Sequence, residues 1–123
     1  MANLIPYINF VDKSDKAVAF YKTVFGGEAE VQKDGDRVIH FEFHAGDIYF
    51  MGADHDKNQA GLAPAKGYSV VLNCDSEKQL RDFYTKLAKN GKGMLEPSDS
   101  GWGAIIAQCT DQFGVSWLLN YDT

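Results

Sequence analysis

One pattern runs twice through this chain, and that repetition limits its folds more than any single motif does. Leu4 to Phe10 has the composition of a strand and ends at Asp12. Ser14 to Phe25 then places Ala17, Val18, Tyr21, Val24 and Phe25 on one helical stripe, with Asp12 or Ser14 as the N-cap and Gly26-Gly27 as the stop. From Tyr68 the pattern returns. Ser69 to Cys74 reads as a strand, Asp75 or Ser76 caps, Leu80, Phe83, Tyr84, Leu87 and Ala88 form the stripe, and Asn90-Gly91 ends it. Asp12 stands eight positions before Phe20-Tyr21, as Asp75 does before Phe83-Tyr84, an offset of 63 (75 − 12). Gly46 stands eight before Asp54, as Gly114 does before Asp122, an offset of 68 (114 − 46). The second copy therefore holds five more residues (68 − 63), which the Pro-, Ser-, Asp- and Gly-rich stretch Pro97 to Gly103 accommodates.

After each helix come three strand candidates. In the first copy they are Ala29 to Gln32, Arg37 to His44 and Asp47 to Met51, turned at Asp34-Gly35-Asp36 and Ala45-Gly46. Gly93 to Leu95, Gly103 to Cys109 and Val115 to Tyr121 are their counterparts. The expected fold is α+β: two tandem βαβββ modules forming a curved sheet around a cleft. Module one covers about 4–54, a polar linker about 55–67, and module two about 68–122, within a single domain at 1–123.

Composition excludes several classes. Twelve Lys and Arg against 17 Asp and Glu give a net charge of −5, which argues against nucleic acid as a partner. No stretch approaches the ~18–20 apolar residues needed to cross a bilayer, so no membrane partner is expected. Met1 to Pro6 has neither a basic start nor a long apolar run, and it reads as no targeting segment. Cys74 and Cys109 lack metal-ligand or CxxC spacing. They read as reduced, buried thiols of a cytoplasmic protein. There is neither a Gly-x-Ser-x-Gly elbow nor a P-loop.

A doubled βαβββ unit resembles the vicinal oxygen chelate superfamily, which includes glyoxalase I, extradiol dioxygenases and bleomycin-resistance proteins. The residues look more specifically like its PhnB-like branch. The pieces that carry the resemblance are Pro6-Tyr7-Ile8-Asn9-Phe10, Ala19-Phe20-Tyr21, Val24-Phe25-Gly26-Gly27, Val38-Ile39-His40-Phe41-Glu42, Trp102-Gly103 and Asp111-Gln112-Phe113-Gly114-Val115-Ser116-Trp117. Members of this branch often carry the name ubiquinone methyltransferase, but no Gly-rich strand–helix turn for a nucleotide-like cofactor is present. The resemblance implies four metal-ligand positions, one on the first and one on the last strand of each module. Here they fall on Pro6, Phe50, Ser69 and Leu118. Three of these cannot donate to a metal and Ser is a poor ligand, so neither metal nor cofactor is expected.

If Pro6 and Ser69 mark the concave face, alternation extends it through Ile8, Phe10, Val71 and Asn73, and on other strands through Phe41, Phe50, Leu118 and Asn120. That lining suits a small apolar or aromatic molecule, and Trp102, in a Gly- and Ser-rich loop, is a candidate contact or a lid on the core. No pair of carboxylates falls in the set, so no catalytic residue is assigned. The expected function is non-catalytic small-molecule binding. The alternative is a metal-dependent lyase or dioxygenase with its site relocated to His40, Glu42 and His44, which share one face of a strand. With a two-residue turn at Ala45-Gly46, Phe41 pairs with Phe50 and the histidines face away from the cavity; a three-residue turn reverses this. Asp54-His55-Asp56 reads as the polar start of the linker, and Trp117 as core. A sheet with open edges also serves as a pairing module, and a two-fold homodimer is predicted. Light scattering checks it: a monomer mass at high protein concentration counts against the dimer.

Overall fold

The computed structural model describes residues 2–54 and 67–123. The chain divides into two compact units, Met1–Ala65 and Lys66–Thr123. In the first unit, β1 (Tyr7–Phe10) leads into α1 (Ser14–Phe25), followed by β2 (Glu28–Asp34), β3 (Arg37–Ala45) and β4 (Ile48–Asp54). The sheet order is β1-β4-β3-β2, with β1 parallel to β4 and the other pairs antiparallel. The second unit repeats this arrangement. β5 (Val70–Asn73), α2 (Glu77–Ala88), β6 (Lys92–Asp99), β7 (Ala104–Thr110) and β8 (Ser116–Asp122) give the order β5-β8-β7-β6. This is the tandem βαβββ fold, α+β, with two four-stranded mixed sheets, neither of them closed. The expected linker, all but Gly67, lies outside the described residues, as do His55 and Asp56.

Each helix lays its apolar stripe on one face of its own sheet. In the first unit the packing is aromatic. Tyr21 is fully buried and meets Phe50 edge-on at 5.3 Å between ring centroids, while Phe43 stacks on Phe50 at 5.0 Å. Phe41 crosses over β4 at Gly52, where a Cβ would lie 2.6 Å from the Phe41 ring and 2.5 Å from the Ile8 carbonyl oxygen. In the second unit the packing is mostly aliphatic, with Leu72, Leu80, Leu87, Ala107 and Leu119 around the buried Trp117.

Two turns differ from the sequence expectation. The β3–β4 hairpin turns on Gly46-Asp47, not Ala45-Gly46, because Ala45 and Ile48 form the closing pair; Phe43 rather than Phe41 therefore stands opposite Phe50. The extra residues of the second copy are also divided. The β6–β7 loop spans 100–103 where the first unit has Gly35-Asp36, and the β7–β8 loop spans 111–115 where it has Gly46-Asp47. Pro97 itself lies inside β6, an edge strand, where its missing N–H removes no ladder bond from a neighbour on both sides.

Two buried carboxylates fasten these connections. Asp54 accepts from the backbone N–H of Ser14 (2.9 Å) and of Val38 (3.0 Å), so the cap of α1 comes from forty residues downstream. By backbone geometry the N-cap residue is Lys13, which makes no side-chain cap bond. In α2 the expected Ser76 does cap, accepting from Gln79 N–H at 3.0 Å. Asp111 accepts from Phe113 N–H, Val115 N–H and Trp117 Nε1–H at 2.8, 3.1 and 2.9 Å. The Asp-x-Phe-Gly-x-x-Trp piece is thus a self-satisfied loop that anchors an indole in the core.

Replacing Asp111 by Ala leaves two buried donors and a half-buried one without this acceptor, each buried one worth about 1–3 kcal/mol. Urea unfolding of Asp111→Ala is expected to show a loss of at least ~3 kcal/mol. Ser14→Ala is the counter-test. The Ser14 hydroxyl is buried with no hydrogen-bond partner among the described residues, so its removal is expected to be neutral or stabilising.

Candidate functional site: the uncovered faces of the two sheets

Strand alternation gives each sheet a helix-covered face and an uncovered one. In the first unit the uncovered face carries His40, Glu42 and His44 from β3. Tyr7 comes from β1, Tyr49 and Met51 from β4, and Glu30 stands directly opposite Glu42 on β2. The Tyr49 hydroxyl donates to Glu42 Oε1 at 2.7 Å. Glu42 Oε2 lies 3.7 Å from His40 Nε2, and the Tyr7 hydroxyl stands 3.5 Å from His40 Nδ1. Tyr7 stacks on His40 with ring centroids 5.9 Å apart, and Tyr49 stacks on His44 at 4.5 Å. The hydrogen bond to Glu42, then desolvation, then the charges of Glu42 and Glu30, push the Tyr49 phenol above its ordinary pKa, so its proton stays on.

The second unit presents a different chemistry. Ser69 shares a 2.7 Å hydrogen bond with Ser116, and Asn120 Nδ2 donates to Asn73 Oδ1 (3.2 Å) and Asp122 Oδ1 (3.1 Å). Exposed Val71 pairs with half-buried Leu118 between them. The structure thus brings Ser69, Val71, Asn73, Leu118 and Asn120 together on one uncovered face. Trp102 stands at the β6–β7 tip, 77% exposed, so it is no lid on its own unit's core. The tip is firmly built: Asp99 Oδ1 accepts from Gly101 N–H at 2.8 Å, and Ser100 Oγ from Trp102 N–H at 3.2 Å.

Phe10, Phe41 and Phe50 do not line an open face. They are at most 3% exposed and pack beneath α1 around Tyr21, with half-buried Ile8 on the same side of β1. The reason is pleat phase. Phe10 and Asn73 correspond when the helices are superposed (73 − 10 = 63), yet Phe10 is buried and Asn73 exposed. In the first unit the β1–α1 connection passes through Asp12 in the left-handed region (φ 54), a kink with no counterpart between β5 and α2. The two-residue β3–β4 turn and the five-residue 111–115 loop likewise set Phe50 and Leu118 on opposite kinds of face. With Phe50 under the helix, the histidines, which alternate away from it, occupy the uncovered face instead. Tyr7, Tyr49 and Met51 join this face without a motif of their own to mark them. The signal for them was the same alternation, once the phase is known.

The residues present do not fit the superfamily's divalent ion. Pro6 and Leu118 have no donor, Phe50 is buried under α1, and Ser69 is engaged by Ser116. Nor do His40, Glu42 and His44 converge: one Glu42 oxygen is taken by Tyr49, and His44 turns to stack on the Tyr49 ring. No group of three or more His, Cys, Asp or Glu among the described residues could hold a metal. Cys74 and Cys109 are poor nucleophiles, since burial pushes both thiols up to about 11. Among the described residues no helix is long and apolar enough to cross a membrane.

The fold recurs in known proteins. The chain is 25% identical to protein PA1353 of Pseudomonas aeruginosa, with a TM-score of 0.87 over 99% of this chain and 98% of that one. A PhnB protein of Bacillus cereus, described as a putative 3-demethylubiquinone-9 3-methyltransferase, has a TM-score of 0.77 at 23% identity, covering 98% and 99% of the two chains. The bleomycin resistance determinant of transposon Tn5 has a TM-score of 0.66 at 22% identity over 99% and 98%. Protein YjdN of Escherichia coli K12 is 24% identical over 95% of this chain and 93% of its own. The family model for the Glyoxalase/Bleomycin resistance protein/Dioxygenase superfamily matches residues 4–119, and the chain belongs to that superfamily.

Proposed function

We propose that this protein binds a small organic molecule and works without the superfamily's metal ion. The observation that carries the reading is the chemistry at the four ligand positions. Two lack donor atoms and a third is an aromatic ring sealed beneath α1, so a divalent ion finds at most one weak oxygen. The uncovered faces are nonetheless furnished for recognition. Ser69, Asn73 and Asn120 offer hydrogen-bonding groups beside Val71 and Leu118, and Trp102 offers a large exposed ring on a braced loop. A bleomycin resistance determinant stands among the structural neighbours. The homodimeric state and a cytoplasmic location belong to the same reading. Nothing favours the relocated metal site over it, given how Glu42 and His44 are engaged.

Thermal melting against a panel of neutral aromatic fragments, with zinc or manganese as separate additions, tests the reading. Trp102→Ala is expected to melt like the parent protein while losing the fragment-induced stabilisation; neither metal should raise the melting temperature. A variant that melts far lower yet keeps every shift makes Trp102 structural. Stoichiometric metal bound at Pro6, Phe50, Ser69 and Leu118 sinks the metal-free reading.

A further inference from the structure

The uncovered face of the first unit holds a carboxylate with spare capacity between two stacked ring pairs. We propose that Glu42 pairs there with a flat organic cation, an amidinium or a protonated nitrogen heteroaromatic, while Tyr7–His40 and Tyr49–His44 form the walls of its site. This rests on the small-molecule reading and adds the chemical class of the ligand.

Three independent features converge. The first is the state of Glu42. Its Oε1 receives the Tyr49 hydroxyl at 2.7 Å, but the nearest partner of Oε2 is His40 Nε2 at 3.7 Å, beyond hydrogen-bond length. The Glu42 side chain is 30% exposed, so it is reachable, yet sheltered enough that an ion pair there is screened less than on open surface. The second is the pair of ring stacks. They flank Glu42 along β3 at i − 2 and i + 2, spanning roughly 13 Å at the rise of a strand. Tyr7 lies 29° from the plane of His40, and Tyr49 lies 21° from that of His44. Phenol faces attract cations, and flat rings stack on them.

The third feature is the sign of the local field. Glu30 faces Glu42 across the β2–β3 pair, Met51 faces it from β4, and Tyr7 follows on β1; no Lys or Arg interrupts that row. The Tyr49 phenol keeps its proton, so it steadies the carboxylate as a donor and adds no charge of its own. An anionic ligand meets repulsion here, and a neutral one forgoes the charge-assisted hydrogen bond to Oε2.

Benzamidine and its neutral isostere benzamide are the probes, titrated into isotopically labelled full-length protein and followed by amide NMR. The expected result is that benzamidine shifts resonances of residues 7, 40, 42, 44 and 49, with benzamide binding roughly tenfold more weakly, the scale of one charge-assisted hydrogen bond. Glu42→Gln should remove that discrimination while its spectrum stays folded. The wild-type comparison stands alone if the variant does not fold. Equal binding of the two probes, or benzamidine shifts confined to other residues, overturns the cation site and leaves the small-molecule reading intact. No shift with either probe also overturns it. The broader reading falls only if the neutral fragments fail to stabilise the protein as well.

Discussion

A pleated strand sends successive side chains to opposite faces, and in each half of this protein one of those faces is roofed by a helix. Everything else follows from which residues fall on which side. Beneath α1 the choice selects Phe10, Phe41, Phe43 and Phe50 to surround Tyr21, a cluster whose offset and edge-on ring contacts add to simple burial. The complementary choice leaves His40, Glu42, His44 and Tyr49 outside. A slip of one residue would exchange the two sets wholesale, burying imidazoles and carboxylates under the helix. The aromatic core therefore also keeps the polar set on the open face.

Phase of this kind has to be held at the strand ends, and the structure assigns that task to backbone-directed carboxylates. Asp54 joins the start of α1 to the start of β3 from the last residue of β4. Asp111 gathers the loop before β8 and fixes the indole of Trp117. Each carboxylate is buried with its oxygens supplied by N–H donors, the condition under which a buried charge is tolerated. Gly27 makes a related close approach: with φ 80, its missing Cβ would stand 2.1 Å from the His44 carbonyl oxygen, so the chain leaving α1 lies tight against the end of β3.

The two modules share topology but not surface chemistry. One uncovered face combines phenols, imidazoles and carboxylates; the other combines amides, hydroxyls and aliphatic groups. Duplication preserved the helix-on-sheet packing, while the loops 100–103 and 111–115 gave the second copy its own phase and an exposed Trp102. A symmetric four-ligand metal site needs equivalent positions to face the same way. Here Phe50 points under a helix while Leu118 points away from one, so these two are not equivalent positions of the folded units.

The amino-acid sequence by itself determined the two helices, their 63-residue spacing and the βαβββ order, because apolar stripes and Gly stops are local signals. It also carried the expectation that the positions matching the superfamily's ligands, Pro6, Phe50, Ser69 and Leu118, offer at most one weak oxygen. Placement of the second module's open-face set, Ser69 to Asn120, followed from alternation within one strand pair. What only the tertiary structure decided was the phase of the first module. The left-handed Asp12 and the packing of α1 put Phe10, Phe41 and Phe50 in the core and His40, Glu42 and His44 on the open side, whereas the turn at Gly46-Asp47 shifted the β3–β4 pairing by two residues and so left each side chain on its face. Period-two patterns are degenerate under inversion: His-x-Glu-x-His alternating with Ile-x-Phe-x-Phe fits either orientation until a helix covers one face. Only the covering of that face by Tyr21 and its neighbours removes the ambiguity, because burying aromatic rings is favourable and burying unpaired charge is not.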